Sequence, residues 1–329
     1  MADESLSDQV RELAGDGPWL VDLESENFAS LHRVQRGLAQ VQGSQLVQLV
    51  ELEEMGKTLL LDGRVQLAES DEHIFHEMFV HPAMTWTQAE RALVIGGGNG
   101  CLVRELLKWP CLKKILVIEP DEDYVRLCRG HAPEWAASLE DPRVELVHRE
   151  FSSVLQLDET FDLILADVEE TDSSFFSLEV LEHVEELVEF GGLFVAQTGG
   201  MRLGRSSLDP AHVRLVNLVR EVFGEVRVGY EYVPSFNSMW TVTVASSCGF
   251  CGQAPELGQM WHAFENSVWA DINFVLDEAD IVTAYYDGIT HMRLFSPPVD
   301  QGEIYDWPVR DEEPCHGCDK DKDDEGRAD

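Results

Sequence analysis

The chain of 329 residues sets 62 acidic against 24 basic side chains, a formal net charge of −38, with 44% hydrophobic content. That length and content suffice for a full core and one additional small domain, while so negative a field repels nucleic acid and anionic membranes and draws in cations. No apolar run approaches the ~18 residues of a membrane span and the acidic start is not that of a signal peptide, so a cytoplasmic protein without membrane or nucleic-acid partners is expected.

Ser5 to Ala14 shows a short helical pattern, which Gly15 to Pro18 breaks. From Trp19 to Leu67 apolar residues alternate or cluster briefly, as in LVQLVELEEMGKTLLLDGRVQL, with an Asp-Gly turn before Val65. This predicts a small antiparallel sheet. From about Asp71 the period becomes helical, and from Ala92 strands alternate with helical segments: LVIGG, KILVIEP, RVELVHR, FDLILAD and GGLFVAQT. Such alternation implies an α/β chain with a parallel sheet covered on both faces. VRVGYEYVP and MWTVTVAS, joined by a turn, are expected to add an antiparallel pair at its edge. From Asp311 the tail DEEPCHGCDKDKDDEGRAD has too few apolar residues to order itself. The expected organisation is an N-terminal β domain over 1–70, a Rossmann-like α/β domain over 71–300 and an acidic tail with a Cys pair over 301–329.

Leu93 to Asp121, LVIGGGNGCLVRELLKWPCLKKILVIEPD, is a buried strand, a four-glycine turn, a helix and a second strand ending in acids. A nucleoside site needs that order. The glycines, Gly96 and Gly98 among them, let the backbone approach the ligand, and Glu119 after the next strand can hold both ribose hydroxyls. Taken alone, the pattern serves NAD and FAD enzymes equally well, or is a plain structural turn. Asp167 ends LILAD at the carboxyl edge of the sheet, where ligands of open α/β folds sit, although an acid there can also be a helix cap.

Gly56 to Met78, GKTLLLDGRVQLAESDEHIFHEM, is followed by GGGNG, FDLILAD, GGLFVAQ, PSFNSMWTVTVAS and AYYDGITHMRLFSP. Jointly these motifs resemble the polyamine aminopropyltransferases, the spermidine synthase family, from about Gln45 to Pro298. The resemblance implies a Rossmann-like fold of the S-adenosylmethionine-dependent methyltransferase type behind a small N-terminal antiparallel β domain, in a homodimer. It also implies transfer of an aminopropyl group from decarboxylated S-adenosylmethionine, a co-substrate and not a tightly bound cofactor, to an amine such as putrescine, with release of methylthioadenosine. A polyamine is a flexible polycation, so the acidic charge suits it, yet spread acid excess more often reflects solubility or a salty cytoplasm.

By that resemblance Asp167 is the catalytic carboxylate. Glu119 is an exposed strand-end glutamate on the ribose, and Glu150 stands where an aspartate usually receives the adenine amino group, its alternative being a solvated loop acid. Gln45 matches a glutamine that precedes the N-terminal strands and contacts the nucleoside, or is only an edge-strand side chain. On the amine side His76, Gln66 and Asp71 match pocket positions, and Glu170 falls where a second, amine-binding aspartate belongs. Helical spacing also places His76 one turn after Glu72, which would satisfy it as a helix-surface histidine.

Several positions depart from the family. Phe75 replaces a tyrosine and has no hydroxyl to offer. Thr171 and Ser174 replace two prolines of the substrate lid, which should make the lid more mobile. Asn99 replaces the aspartate that binds the donor's cationic amine, and losing a charge-assisted hydrogen bond weakens binding by ~1.5–3 kcal/mol. An uncharged Asn99 would admit a donor that still carries its carboxylate. Two readings therefore stay open beside aminopropyl transfer: a methyltransferase or other transferase using intact S-adenosylmethionine, and a non-catalytic nucleoside-binding relative. Outside the family pattern, Cys248, Cys251, Cys315 and Cys318 form two C-x-x-C pairs that suit tetrahedral zinc, or are unbridged thiols. Cys101, Cys111 and Cys128 read as small packing residues.

Overall fold

The structure, a computed structural model, describes residues 17–25, 28–169, 172–201, 210–249 and 268–296. The helix expected at Ser5 to Ala14 and the tail from Asp311 lie outside these residues. Five strands, β1 (Trp19–Ser25), β2 (Phe28–Gln42), β3 (Leu46–Leu52), β4 (Gly56–Leu61) and β5 (Arg64–Ala68), form an antiparallel sheet in chain order. The Asp-Gly turn joins β4 to β5, with both Asp62 and Gly63 at positive φ, the backbone a two-residue hairpin requires.

A second sheet has seven strands: β6 (Arg91–Gly96), β7 (Lys114–Ile118), β8 (Val144–Val147), β9 (Phe161–Asp167), β10 (Val188–Met201), β11 (Glu225–Val233) and β12 (Ser238–Ser246). Their order is β11-β12-β10-β9-β6-β7-β8. The pairs from β10 to β8 are parallel and those of β12 with β10 and β11 antiparallel, as the sequence implied. The described helices are α1 (Glu72–Thr87), α2 (Cys101–Leu107), α3 (Glu122–His131), α4 (Pro133–Ala136), α5 (Leu178–Leu187), α6 (Pro210–Phe223), α7 (Val268–Glu278) and α8 (Gly288–Leu294). None of them is long and apolar enough to cross a membrane.

Strand periodicity divides the central strands between two cores. Val94, Val117, Leu163, Leu165 and Val195 face one core, and Leu93, Ile95, Leu116, Ile118, Ile164 and Phe194 the other. Each strand therefore reads as a continuous apolar run, because both its faces are covered. The first core also takes in Val47, Leu49, Leu59 and Leu67 of the small sheet and Phe75, Phe79, Ala83 and Met84 of α1. α1 thus belongs to both sheets, which explains why it is buried nearly all round instead of along one stripe.

One buried acid fixes α1 to the C-terminal part of the chain. Glu77 Oε1 accepts the Ala284 N–H at 2.7 Å, and Oε2 accepts those of Tyr285 and Tyr286 at 2.8 Å each. Glu77→Ala would take the acceptor from three backbone donors, of which that of Tyr286 is buried, and an unsatisfied buried donor costs about 1–3 kcal/mol. The variant is expected to lose roughly 1–3 kcal/mol, read as a lowered urea midpoint at unchanged slope.

Candidate active site

β6 is the switch point of the large sheet: the chain runs outward through β7 and β8 on one side and returns through β9 on the other. Open α/β sheets bind ligands in the crevice at the carboxyl ends of such strands. Here that crevice is bounded by the Gly96–Gly100 turn after β6, Glu119 after β7 and Asp167 at the end of β9. Gly96 pairs in register with Asp167. At φ +84°, with the Asp167 carbonyl where a Cβ would project, position 96 admits only glycine.

Glu119 is 6% exposed, so the expected exposed strand-end glutamate is instead a buried one. The glycine turn folds over it: Gly98 N–H donates to Oε2 at 3.1 Å and Asp121 N–H to Oε1 at 3.0 Å. Burial pushes its pKa up to about 7; these two bonds oppose the rise, and the charges of Asp121 and Asp167 add to it. Asp167, half-buried at its strand end, is likewise raised above the usual carboxylate range by burial, with nearby His76 opposing.

His76 is buried on α1, its Nδ1 2.6 Å from the Glu72 carbonyl and 2.9 Å from Glu72 Oε2. Both neighbours are acceptors, so Nδ1 carries a proton. Arg104 Nη2 also donates to Glu72 Oε2, at 2.8 Å. Burial pushes the Glu72 carboxyl up, but the bonds from His76 and Arg104 outweigh it and hold the pKa at about 2. The i,i+4 pair anticipated from spacing is therefore present, but inside the protein and not on a helix surface.

Asp71 stands before α1 without capping it. Its Oδ2 accepts the Ser235 N–H at 2.6 Å, while Oδ1 is buried with no hydrogen-bond partner, and burial raises its pKa. Asn99 spends its amide locally: Oδ1 accepts the Cys101 N–H at 2.7 Å and Nδ2 donates to the Tyr124 hydroxyl at 3.2 Å. Phe75 packs edge-on to His76, Phe79 and Phe236.

The remaining expected residues lie on other elements. Gln45 is half-buried in the turn between β2 and β3; two strands come before it, so it does not precede the N-terminal strands, and β3 is not an edge strand. Gln66 is half-buried on β5. Glu150 is exposed in the loop after β8, which His148 ties to the Glu119 carbonyl at 2.8 Å. Glu170 and Thr171 fall outside the described residues, as do Cys251, Cys315 and Cys318. Cys248 is half-buried and its thiol donates to the Gly249 carbonyl at 3.5 Å. Cys101 and Cys128 are fully buried packing residues, and neither they, Cys111 nor Cys248 is in a disulfide.

The spermine/spermidine synthase domain matches residues 72–250, the stretch that supplies nearly all of this crevice. The chain belongs to the spermine/spermidine synthase family. It is 34% identical to the polyamine aminopropyltransferase of Aeropyrum pernix over 238 residues, 69% of this chain and 74% of that one. To the polyamine aminopropyltransferase of Saccharolobus solfataricus it is 29% identical over 290 residues, 85% of this chain and 90% of that one. Membership makes the protein a transferase. Two solved spermidine synthases share the fold: one in complex with the transition-state analogue AdoDATO (TM-score 0.74, 23% identity, 88% of this chain and 94% of that one), and one from Thermotoga maritima (TM-score 0.75, 22% identity, 88% and 95%).

Against this family frame, several supporting groups escaped the sequence reading. Gln197, one residue beyond the β9 pairing, donates from Nε2 to the Val168 carbonyl at 2.9 Å and accepts from Trp240 Nε1 at 3.1 Å. It thereby ties the backbone just after Asp167 to β10 and β12. Ser235 and Arg104 likewise act from far along the chain, on Asp71 and Glu72. No local pattern announces such long-range partners.

Proposed function

We propose that the enzyme transfers the aminopropyl group of decarboxylated S-adenosylmethionine to a polyamine acceptor such as putrescine, releasing methylthioadenosine. The observation that supports it best is the placement of two carboxylates of raised pKa, Asp167 and Glu119, on either side of one glycine turn. The reaction is an in-line displacement: the neutral amine forms a C–N bond to the methylene beside the sulfonium, and the C–S bond breaks toward sulfur. The sulfonium leaves readily, so the protein's tasks are alignment and removal of the amine's proton. Asp167 takes that proton, and its raised pKa makes it a better acceptor than an ordinary carboxylate.

Glu119 holds the ribose hydroxyls, with Gln45 and Glu150 on the rest of the nucleoside. His76, Gln66, Asp71 and Glu170 align the amine. The unpartnered Oδ1 of Asp71 supports this, since a buried carboxylate oxygen is costly until a cation or donor meets it. The family's homodimer is part of the same proposal. A second reading, transfer from intact S-adenosylmethionine, is favoured by one observation: Asn99 brings no charge, and its amide already serves Cys101 and Tyr124. Mass spectrometry of products, with both nucleosides offered alongside a panel of amines, tests the two together.

Asp167→Asn should keep the fold and nucleoside binding but lower turnover by ~10²–10⁴-fold, as loss of a positioned base does; turnover within about threefold of wild type would assign the proton to another group. Ribose hydroxyls donate to the ionised form of Glu119, whose pKa in the free protein is about 7. Methylthioadenosine affinity should therefore be full above that pH and fall as pH drops through it, by up to about tenfold per unit. Titration calorimetry across the range should show this, and Glu119→Gln should flatten it. Asn99→Asp should tighten decarboxylated S-adenosylmethionine roughly tenfold and weaken the intact nucleoside by repelling its carboxylate. Wild-type preference for the intact form, lost in the variant, would overturn the first reading in favour of the second.

A further inference from the structure

We infer that Ser44 and Asp121 form a clasp that positions the β2–β3 hairpin over the nucleoside crevice, making both of them positioning residues for donor binding. Asp121 makes three contacts from one residue. Its N–H donates to Glu119 Oε1 at 3.0 Å, its Oδ1 accepts the Tyr124 N–H at 2.9 Å to cap α3, and its Oδ2 accepts the Ser44 hydroxyl at 3.1 Å. The first two contacts fix where its carboxylate stands relative to the ribose acid. The third carries that position across to the small sheet, 77 residues earlier in the chain.

The hairpin side is equally specified. The Gly43 N–H closes the turn on the Gln45 carbonyl at 3.0 Å. Leu46, where β3 begins, is bonded to the β4–β5 turn: its N–H donates to Asp62 Oδ1, and its carbonyl accepts the Asp62 N–H, each at 2.9 Å. At the tip, a Cβ on Gly43 would lie 2.8 Å from Asp121 Oδ2 and 3.2 Å from Oδ1. A side chain at position 43 would therefore have to displace the Asp121 carboxylate, the same group that holds Ser44. Gln45 follows Ser44 directly, so the clasp sets where Gln45 stands relative to Glu119.

The inference rests on the crevice binding the donor's nucleoside. Ser44 is exposed, so water competes for its hydrogen bond and the effect is that of one modest contact. Ser44→Ala should weaken methylthioadenosine binding about three- to tenfold and raise KM for the donor by the same factor, with kcat within about twofold of wild type. Ser44→Thr, which keeps the hydroxyl, should restore both. Gln45→Ala should cost less in the Ser44→Ala background than alone, because the two act through one placement. Gly43→Ala, which drives the Asp121 carboxylate away, should reproduce the Ser44→Ala loss. Unchanged affinity in both Ser44→Ala and Gly43→Ala, or a Ser44→Thr variant no better than alanine, overturns the clasp. Failure of the wild type to bind methylthioadenosine at all would instead overturn the proposed function, so the two failures are distinguishable.

Discussion

The parallel pairing of β6 with β9 is the constraint on which the site depends. It sets Gly96 beside Asp167 so closely that the Asp167 carbonyl fills the space of a side chain. The glycine turn can then curl over Glu119, donating to it from Gly98, and present its other face to the crevice. Because both strands are buried on both faces, their register cannot slip without exchanging the residues of two cores. The relative position of the two acids is therefore fixed by packing, and no loop has to order itself to create it.

Electrostatics then divides the acids of this region into two groups. Glu72 is bonded to both His76 and Arg104, and its low pKa shows that its charge is compensated within the protein. Asp167, Glu119 and Asp71 are not so compensated, and burial raises all three. An uncompensated acid that must stay buried is stabilised when a ligand brings donors or positive charge. The proposed ligands, a sulfonium nucleoside with its ribose and a polyamine, bring both kinds of group. The chain's overall acidity adds a long-range field of the same sign, but these three side chains give it a destination.

Much of this was legible in the sequence for physical reasons. The continuous apolar runs LVIGG, KILVI and LILAD, alternating with helical segments, implied strands covered on both faces, and the Asp-Gly turn and the helix beginning after Asp71 were each marked by local chemistry. The acids at the ends of β7 and β9 followed from the rule that ligands sit at the carboxyl edge of such sheets. What a linear reading lacked was depth and distance. It took Glu119 for an exposed side chain because a strand end is usually exposed, whereas the glycine turn buries it. It placed His76 and Glu72 on one helix face but had no means of seeing Arg104 arrive from α2, or Gln197 and Trp240 anchor the backbone after Asp167. Those contacts join residues far apart in the chain and leave no periodic trace.

The sharing of α1 between the two sheets has a consequence for motion. Asp71 precedes this helix, His76 sits on its second turn, and Glu77, the next residue, anchors it to the backbone at 284–286. The helix has no solvent face along which it can detach alone, because its apolar contacts run to the small sheet and the large one together. Its amides should therefore exchange with solvent only in the most protected class, through opening of the whole core and not by local fraying. This side of the crevice is in that sense as rigid as the protein itself, and any adaptation to ligands of different length falls to the segments that α1 does not brace.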